Sequence, residues 1–214
     1  MFTLRNKDMH SENVSPADNQ QERLIGWILG FVDGEGCFSI HFVKQPSRKE
    51  PNRIRRGYAI GYQIAHEFAV AQGARSLNSL KELKEFFGVG NIYINRRHDN
   101  HKEDLYRYSV VRRKDIINVI IPFFLANKLH TAKQQDFKLF VQCMELIGAN
   151  QHLNPEVAIK IATITEQMNH KKSRAELIRI LRDYTPNSKQ QMLLREDIVQ
   201  SAWRHAASEV LLIT

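Results

Sequence analysis

Between Gln21 and Gly36 the chain reads QERLIGWILGFVDGEG, an apolar run with glycine at every fourth residue, Gly26, Gly30 and Gly34. A glycine inside a helix costs about 1 kcal/mol relative to alanine, so three on one ladder need a packing reason. Spacing of i, i+4 sets them on one helical face, and a face without side chains lets a second helix approach backbone to backbone. The run stops at Asp33 and Glu35. A helix pair closed along that face would carry carboxylates together at its end, an arrangement that calls for a cation. The glycines alone favour a buried helix with a glycine C-cap; the acids shift the balance to the paired helix.

Composition sets the class of partner. Of 214 residues, 43% are hydrophobic and 25% charged, ordinary for a globular domain, but Lys+Arg 31 against Asp+Glu 23 leaves a net charge of +8. A basic balance favours a polyanion, nucleic acid before membrane, because no basic amphipathic anchor stands out. Cys37 and Cys143 lie far apart and fit neither a metal spacing nor a disulfide framework, which points to a reducing compartment. No apolar run approaches the roughly 18 residues of a membrane span, and the polar N-terminus lacks a signal-peptide core. A location in the cytoplasm or in an organelle, rather than secretion, is expected.

Taken in order, residues 1–14 read as a tail. Ser15-Pro16-Ala17-Asp18 then starts a helix, with serine as N-cap and proline at the first helical position, running to about Asp33. CFSIHFVK, Cys37 to Lys44, alternates as a half-buried strand. A basic loop over 45–57 leads to a long strand from Tyr58 to Gln72, for which a bulge near Ala65 to Glu67 is expected. Ser76 to Phe87 turns to helical period, and Gly88 and Gly90 stop it. Asn91–Asn95 and Leu105–Arg112 follow as strands, then a short helix capped by Asp115 and broken around Pro122. Helices over Thr131–Ile147 and Asn154–Asn169 come next. The fold class is α+β, in the order αββαββα, with a four-stranded, mainly antiparallel sheet and C-terminal helices. Residues 15–170 form the main domain and 171–214 a helical extension without legible chemistry.

Basic residues cluster around the strands: Arg48, Arg53, Arg55 and Arg56 in the loop, then Arg96, Arg97, Arg107 and Arg112. Any one cluster is a solvated face. Several bordering one sheet, with Tyr, Asn, Gln and Ser between them, suit a β-ribbon in the major groove of double-stranded DNA. There, cations neutralise phosphates and strand side chains read base edges. His98-Asp99-Asn100-His101 reads as a solvated loop rather than a metal site.

ILGFVDGEG, Ile28 to Gly36, matches the LAGLIDADG motif position for position, with Glu35 at the second acidic place. With GFVDGEGCFSI, EFAVAQ, FFGVGNIYINRR, IIPFF and TAKQQDF, the chain resembles the single-motif LAGLIDADG homing endonucleases encoded in group I introns of large-subunit ribosomal RNA genes. The resemblance covers about residues 20–170. It implies a homodimer with Gly26, Ile28, Gly30 and Phe31 at the interface, and a DNA-binding sheet. It also implies Mg²⁺-dependent hydrolysis of both strands of a long, near-palindromic site. Metal would be held at Glu35 and Gly34. Gln72 would order water near the scissile phosphate, and Lys133, with Lys128 as the alternative register, would stabilise charge. Arg75 would touch a phosphate. The rival readings are a group I intron RNA maturase and a DNA-binding regulator that does not cut; retention of Glu35 favours cleavage.

Overall fold

The computed structural model describes residues 16–45, 48–50, 53–55, 57, 60–96, 103–169 and 173–183. Helix α1 (Pro16–Glu35) leads into strand β1 (Gly36–Lys44), a small hairpin of β2 (Arg48–Glu50) and β3 (Arg53–Arg55), and the long strand β4 (Tyr62–Gly73). Helix α2 (Leu77–Phe87), strands β5 (Asn91–Asn95) and β6 (Leu105–Val110), and the short helices α3 (Arg113–Asp115) and α4 (Ile121–Ala126) follow. The chain continues through α5 (Lys133–Gly148), α6 (Pro155–Glu166) and α7 (Ala175–Arg182). The main sheet is antiparallel throughout, in the order β1-β4-β6-β5. Among the described residues no helix is long and apolar enough to cross a membrane.

Strand alternation gives the sheet two unlike faces. On the inner face Phe38, Phe68, Val70, Tyr108 and Val110 are fully buried. Phe38 is the hub: its ring centroid lies 5.1 Å from Phe68, 5.4 Å from Phe124, 5.1 Å from Phe137 and 5.5 Å from Phe140. One ring thus joins two strands to α4 and α5. From α1, Ile28 and Val32 are fully buried in the same core, while Gly26, Gly30 and Gly34 are exposed. The outer face carries Ser39 and His41 from β1, Glu67 from β4, Arg107 and Ser109 from β6 and Tyr93 from β5.

Edge strand β1 is protected: Asn169 Nδ2 donates to the Phe38 carbonyl at 3.2 Å, and Asn169 N donates to Asp136 Oδ1 at 2.8 Å. Helix α6 begins as expected, with the Asn154 side chain accepting from Glu156 N at 2.8 Å and Pro155 in the first turn. Helix α7, the first part of the expected extension, packs Ile178 and Leu181 into the common core.

The structure corrects several local expectations. The 45–57 loop contains the β2–β3 hairpin. Strand β4 begins at Tyr62, after Gly61 at φ +73°, and its pairing with β1 runs without a break from Tyr62 to Val70, so there is no bulge. The sixth strand ends at Val110, and Asp115 does not cap. Pro122 does not break the helix: the path stays helical from Arg113 to Ala126 through a wide π turn at Ile116–Ile120, where Ile121 N–H reaches the Ile116 carbonyl. Proline lacks an N–H and its ring crowds the preceding turn, and widening that turn relieves both. The tail at 1–14, Arg56, Arg97, the His98–His101 loop and the part of the expected helical extension from 184 to 214 lie outside the described residues.

Beneath the far end of the sheet, neither ring nitrogen of His66 and not Nδ1 of His152 has a hydrogen-bond partner among the described residues. Arg113, whose Nη1 donates to Asn150 Oδ1 at 2.7 Å, lies beside them. Burial pushes His152 down to about 4, with the charges of Arg113 and His66 adding to the shift, and burial with Arg113 lowers His66 too. Both imidazoles are therefore neutral when folded, whereas the unfolded chain takes up protons near 6.5. Stability is full above that value and declines as pH falls from 6.5 toward 4, because there the unfolded state binds more protons. The melting temperature should fall over this window, and His152→Asn should flatten the fall; an unchanged pH profile would refute the assignment. Phe38→Ala should cost about 3–5 kcal/mol in a denaturant titration, the larger end if α4 and α5 fail to close the gap.

Candidate active site

The last turn of α1 holds two acids in different circumstances. The Asp33 carboxylate accepts from His130 N at 2.7 Å, Thr131 N at 3.1 Å and Thr131 Oγ1 at 2.8 Å. Burial alone would raise its pKa, but these hydrogen bonds outweigh it and hold the group below its ordinary value. Asp33 is thus a structural tie between the end of α1 and the start of α5. Thr131 Oγ1 in turn accepts from Lys133 N at 3.2 Å, which opens α5. Glu35, two residues on, is exposed, and among the described residues its carboxylate has no hydrogen-bond or ion-pair partner.

At Gly36 the chain turns from helix to strand with no room for a side chain: a Cβ would lie 2.6 Å from Val32 Cγ1 and 2.7 Å from the Val32 carbonyl. The Gly36 carbonyl accepts from Lys133 Nζ at 2.5 Å. Because Gly36 pairs with Val70, Gln72, two residues further along β4, comes level with the end of α1. Glu35, Lys133 and Gln72 are therefore gathered at one end of the sheet, where Gly34 is exposed. Lys128 lies exposed in the turn between α4 and α5. Among the described residues no three His, Cys, Asp or Glu side chains form a metal-holding group within one protomer. Glu35 thus offers one carboxylate, the donor type a hard cation takes with phosphate and water oxygens.

The dimer-face residues divide. A Cβ at Gly26 or Gly30 would meet nothing within 4 Å, so the glycine face is open in the protomer. Phe31 is half-buried and stacks on Trp27 at 5.3 Å. Ile28, expected on the partner face, is instead fully buried in the protomer's own core; two residues from Gly26 and from Gly30, it lies about 200° round the helix, on the opposite side.

Basic residues spread from this end of the sheet to the other. Arg75, on the 3₁₀ turn Ala74–Ser76, and Arg96, just past β5, are exposed near the Glu35 end. Arg48, Arg53 and Arg55 lie on the β2–β3 hairpin, beyond the far end of β1, about 26 Å away at ~3.3 Å per residue. Arg112 is exposed, its Nε 3.8 Å from Asp115 Oδ2. Arg107 differs from the rest. It grips Glu67 on the outer face of the sheet, Nε to Oε1 at 2.9 Å and Nη2 to Oε2 at 2.5 Å, while Ser109 Oγ donates to Glu67 Oε1 at 2.6 Å. Burial raises the Glu67 pKa, but these donors more than reverse the effect; the bond to Glu67 raises that of Arg107.

Sequence reasoning missed Glu67. Its neighbour Phe68 is in the core phase of β4, so alternation alone assigns Glu67 to the outer face. The antiparallel register with β6 was needed to bring it to Arg107. It also missed how strongly Asp33 is bound, a contact across 97 residues of sequence.

Residues 28–144 match the LAGLIDADG endonuclease family, more than half of the 214 residues. Among curated relatives, the probable intron-encoded endonuclease 3 of Neurospora crassa is 30% identical over 154 residues, 71% of this chain and 26% of its own length. A 50.9 kDa protein in ND4 intron 1 of Podospora anserina is 33% identical over 129 residues, 59% of this chain and 25% of its own. The chain spans about a quarter of the length of these curated relatives. Among solved structures, the homing endonuclease I-TnaI is 31% identical with a TM-score of 0.57, over 74% of this chain and 96% of that one. The meganuclease I-SmaMI bound to uncleaveable DNA is 27% identical with a TM-score of 0.59, over 75% of this chain and 50% of that one. In sequence and in fold, the chain belongs to the LAGLIDADG endonuclease family.

Proposed function

We propose that this chain is a homing endonuclease that hydrolyses both strands of a long, near-palindromic DNA site as a homodimer with a divalent cation, Mg²⁺ by preference. The observation that carries the reading is the uncommitted Glu35 carboxylate on the same helix as an open glycine face, with Lys133 and Gln72 beside it. Two protomers joined through Gly26 and Gly30 would bring two copies of that end together under one duplex, each with its sheet along a major groove. The I-SmaMI structure, named as DNA-bound, is matched over half its length, the size relation that two such units require.

Each side chain has a distinct task in this reading. Ionised Glu35 has only acceptor oxygens, and with the Gly34 backbone it would hold the cation. When bound, the cation supplies positive charge against the phosphate and an activated water. The Lys133 ammonium has three N–H donors, one spent on the Gly36 carbonyl, and turns the others toward the scissile phosphate and its water. Gln72 both donates and accepts, which suits it to orient that water. Arg75 and Arg96 flank this end for phosphate contacts, and the β2–β3 hairpin that carries Arg48, Arg53 and Arg55 would reach outward along the duplex. Arg112 adds positive charge to the same surface.

The target would be the uninterrupted allele of the host gene. Candidates are a large-subunit ribosomal RNA gene and, from relatives' names, ND4 and Cox1. Purified protein incubated with these DNAs should give one discrete double-strand cut with Mg²⁺ and none with EDTA. Glu35→Gln should keep specific binding in a mobility-shift assay and lose cutting by more than about a hundredfold; undiminished cutting would sink the carboxylate's role. Specific binding without cutting by the unaltered chain would favour a regulator.

The glycine face has its own test. Because a Cβ at Gly30 meets nothing in the protomer, Gly30→Leu should leave folding intact and even gain about 1 kcal/mol of helix propensity. By sedimentation it should convert a dimer to a monomer and abolish double-strand cutting. A variant that remains dimeric and active would show that the protomers meet elsewhere.

A further inference from the structure

Glu67 is an acid in the middle of the face that would meet DNA, where an unpaired carboxylate would repel phosphates. It is not unpaired: both of its oxygens are engaged, Oε1 by Arg107 Nε and Ser109 Oγ, Oε2 by Arg107 Nη2. The acid is also the sheltered partner, its side chain 17% exposed against 40% for Arg107. Glu67 therefore has little left with which to read a base, whereas Arg107 still has donors to spare.

A guanidinium carries five N–H donors in a rigid fork. Glu67 takes the edge formed by Nε and one N–H of Nη2. What remains is the end of the fork, the second N–H of Nη2 and both of Nη1, directed away from the carboxylate. Two parallel donors of that kind match guanine, whose O6 and N7 are paired acceptors in the major groove.

The surroundings favour a base over a phosphate. Arg107 is on an interior strand of the sheet, with Ala71 directly opposite on β4 and Tyr93, 53% exposed, opposite on β5. Alanine leaves the floor open for a base edge to approach. Glu67 also cancels the arginine's charge locally, which weakens the salt-sensitive attraction to phosphate without removing the hydrogen bonds that discriminate bases.

We propose that Arg107 reads a guanine in each half-site through the end of its guanidinium, and that Glu67, with Ser109, is the positioning residue that fixes it in that pose. The proposal rests on the reading of the sheet as the DNA-binding face and assigns a specificity-determining pair within it.

The test is selection of bound sites from a duplex library randomised across the half-site, with the full chain in Ca²⁺ so that binding is scored without cutting, followed by a salt titration on the selected site. The unaltered protein should demand guanine at one position per half-site. Arg107→Met, made together with Glu67→Gln so that no unpaired carboxylate is left facing phosphates, should relax that position alone, by about 5- to 150-fold in discrimination, and leave the slope of affinity against salt unchanged. Arg107→Lys, which keeps the charge but not the planar fork, should relax the same position and guards against a folding defect. Glu67→Gln should weaken preference at that position and at no other. A salt slope reduced by about one in the double variant relative to Glu67→Gln would make Arg107 a phosphate contact and overturn the proposal. Relaxation at a different base in Glu67→Gln would make the acid itself a reader and also overturn it. A library from which the unaltered chain selects nothing would instead remove the DNA-reading role of the whole sheet, and this pair with it.

Discussion

Three hydrogen bonds onto one carboxylate set the geometry on which the candidate site depends. Asp33 holds the His130 and Thr131 amides and the Thr131 hydroxyl, so the last turn of α1 is tied to the segment that opens α5. That clamp delivers Lys133 to the Gly36 carbonyl and leaves the neighbouring Glu35 uncommitted. The two acids of the motif are thus divided in labour by two residues of helical rotation. One faces its own fold and is satisfied; the other is exposed, with no partner among the described residues. Val32 completes the arrangement from behind, since its bulk forces glycine at position 36 and fixes where the strand begins.

Much of the fold was legible because local signals agreed with one another. Alternation in Cys37–Lys44, the helical spacing of Leu80, Leu83 and Phe87, and the Asn154-Pro155-Glu156 start all act over a few residues, and each is realised. What local pattern could not carry was register. A bulge was expected in β4 because the apolar phase is long, yet antiparallel pairing with β1 holds it straight. Pro122 reads locally as a break; tertiary packing of Ile116, Ile120, Ile121 and Phe124 keeps the helical path and relocates the strain to a wide turn.

The candidate site drew on a different kind of signal. Glu35 came from the motif and Gln72 and Lys133 from the family resemblance; strand register and the Lys133–Gly36 bond bring the latter two to the end of α1, and their roles belong to the proposal. Ile28 was misplaced because a motif residue was assigned to the partner face without its helical angle: the position is apolar for the sake of the core. Glu67, and its pairing with the Arg107 already named, escaped notice because charged residues forty apart in sequence give no sign of being neighbours until β4 and β6 are in register. Among the described basic residues bordering the sheet, Arg107 alone meets its acid through a two-pronged bond, and that is what separates it from a general positive surface.

Alternation in an antiparallel sheet has an evolutionary consequence here. On β4, Phe68 and Val70 are fully buried, while Ala65, Glu67, Ala69 and Ala71 point the other way. Odd and even positions of one strand answer to different selective pressures, one to the integrity of the interior and one to whatever lies against the surface. Changes at Ala65 and Ala71, both part-exposed, leave the aromatic hub around Phe38 untouched, whereas Ala69 is only 2% exposed and Glu67 is held by Arg107 and Ser109. The outer side of the strand is thus open to change at some positions and fixed at others, over an inner side that is fixed throughout.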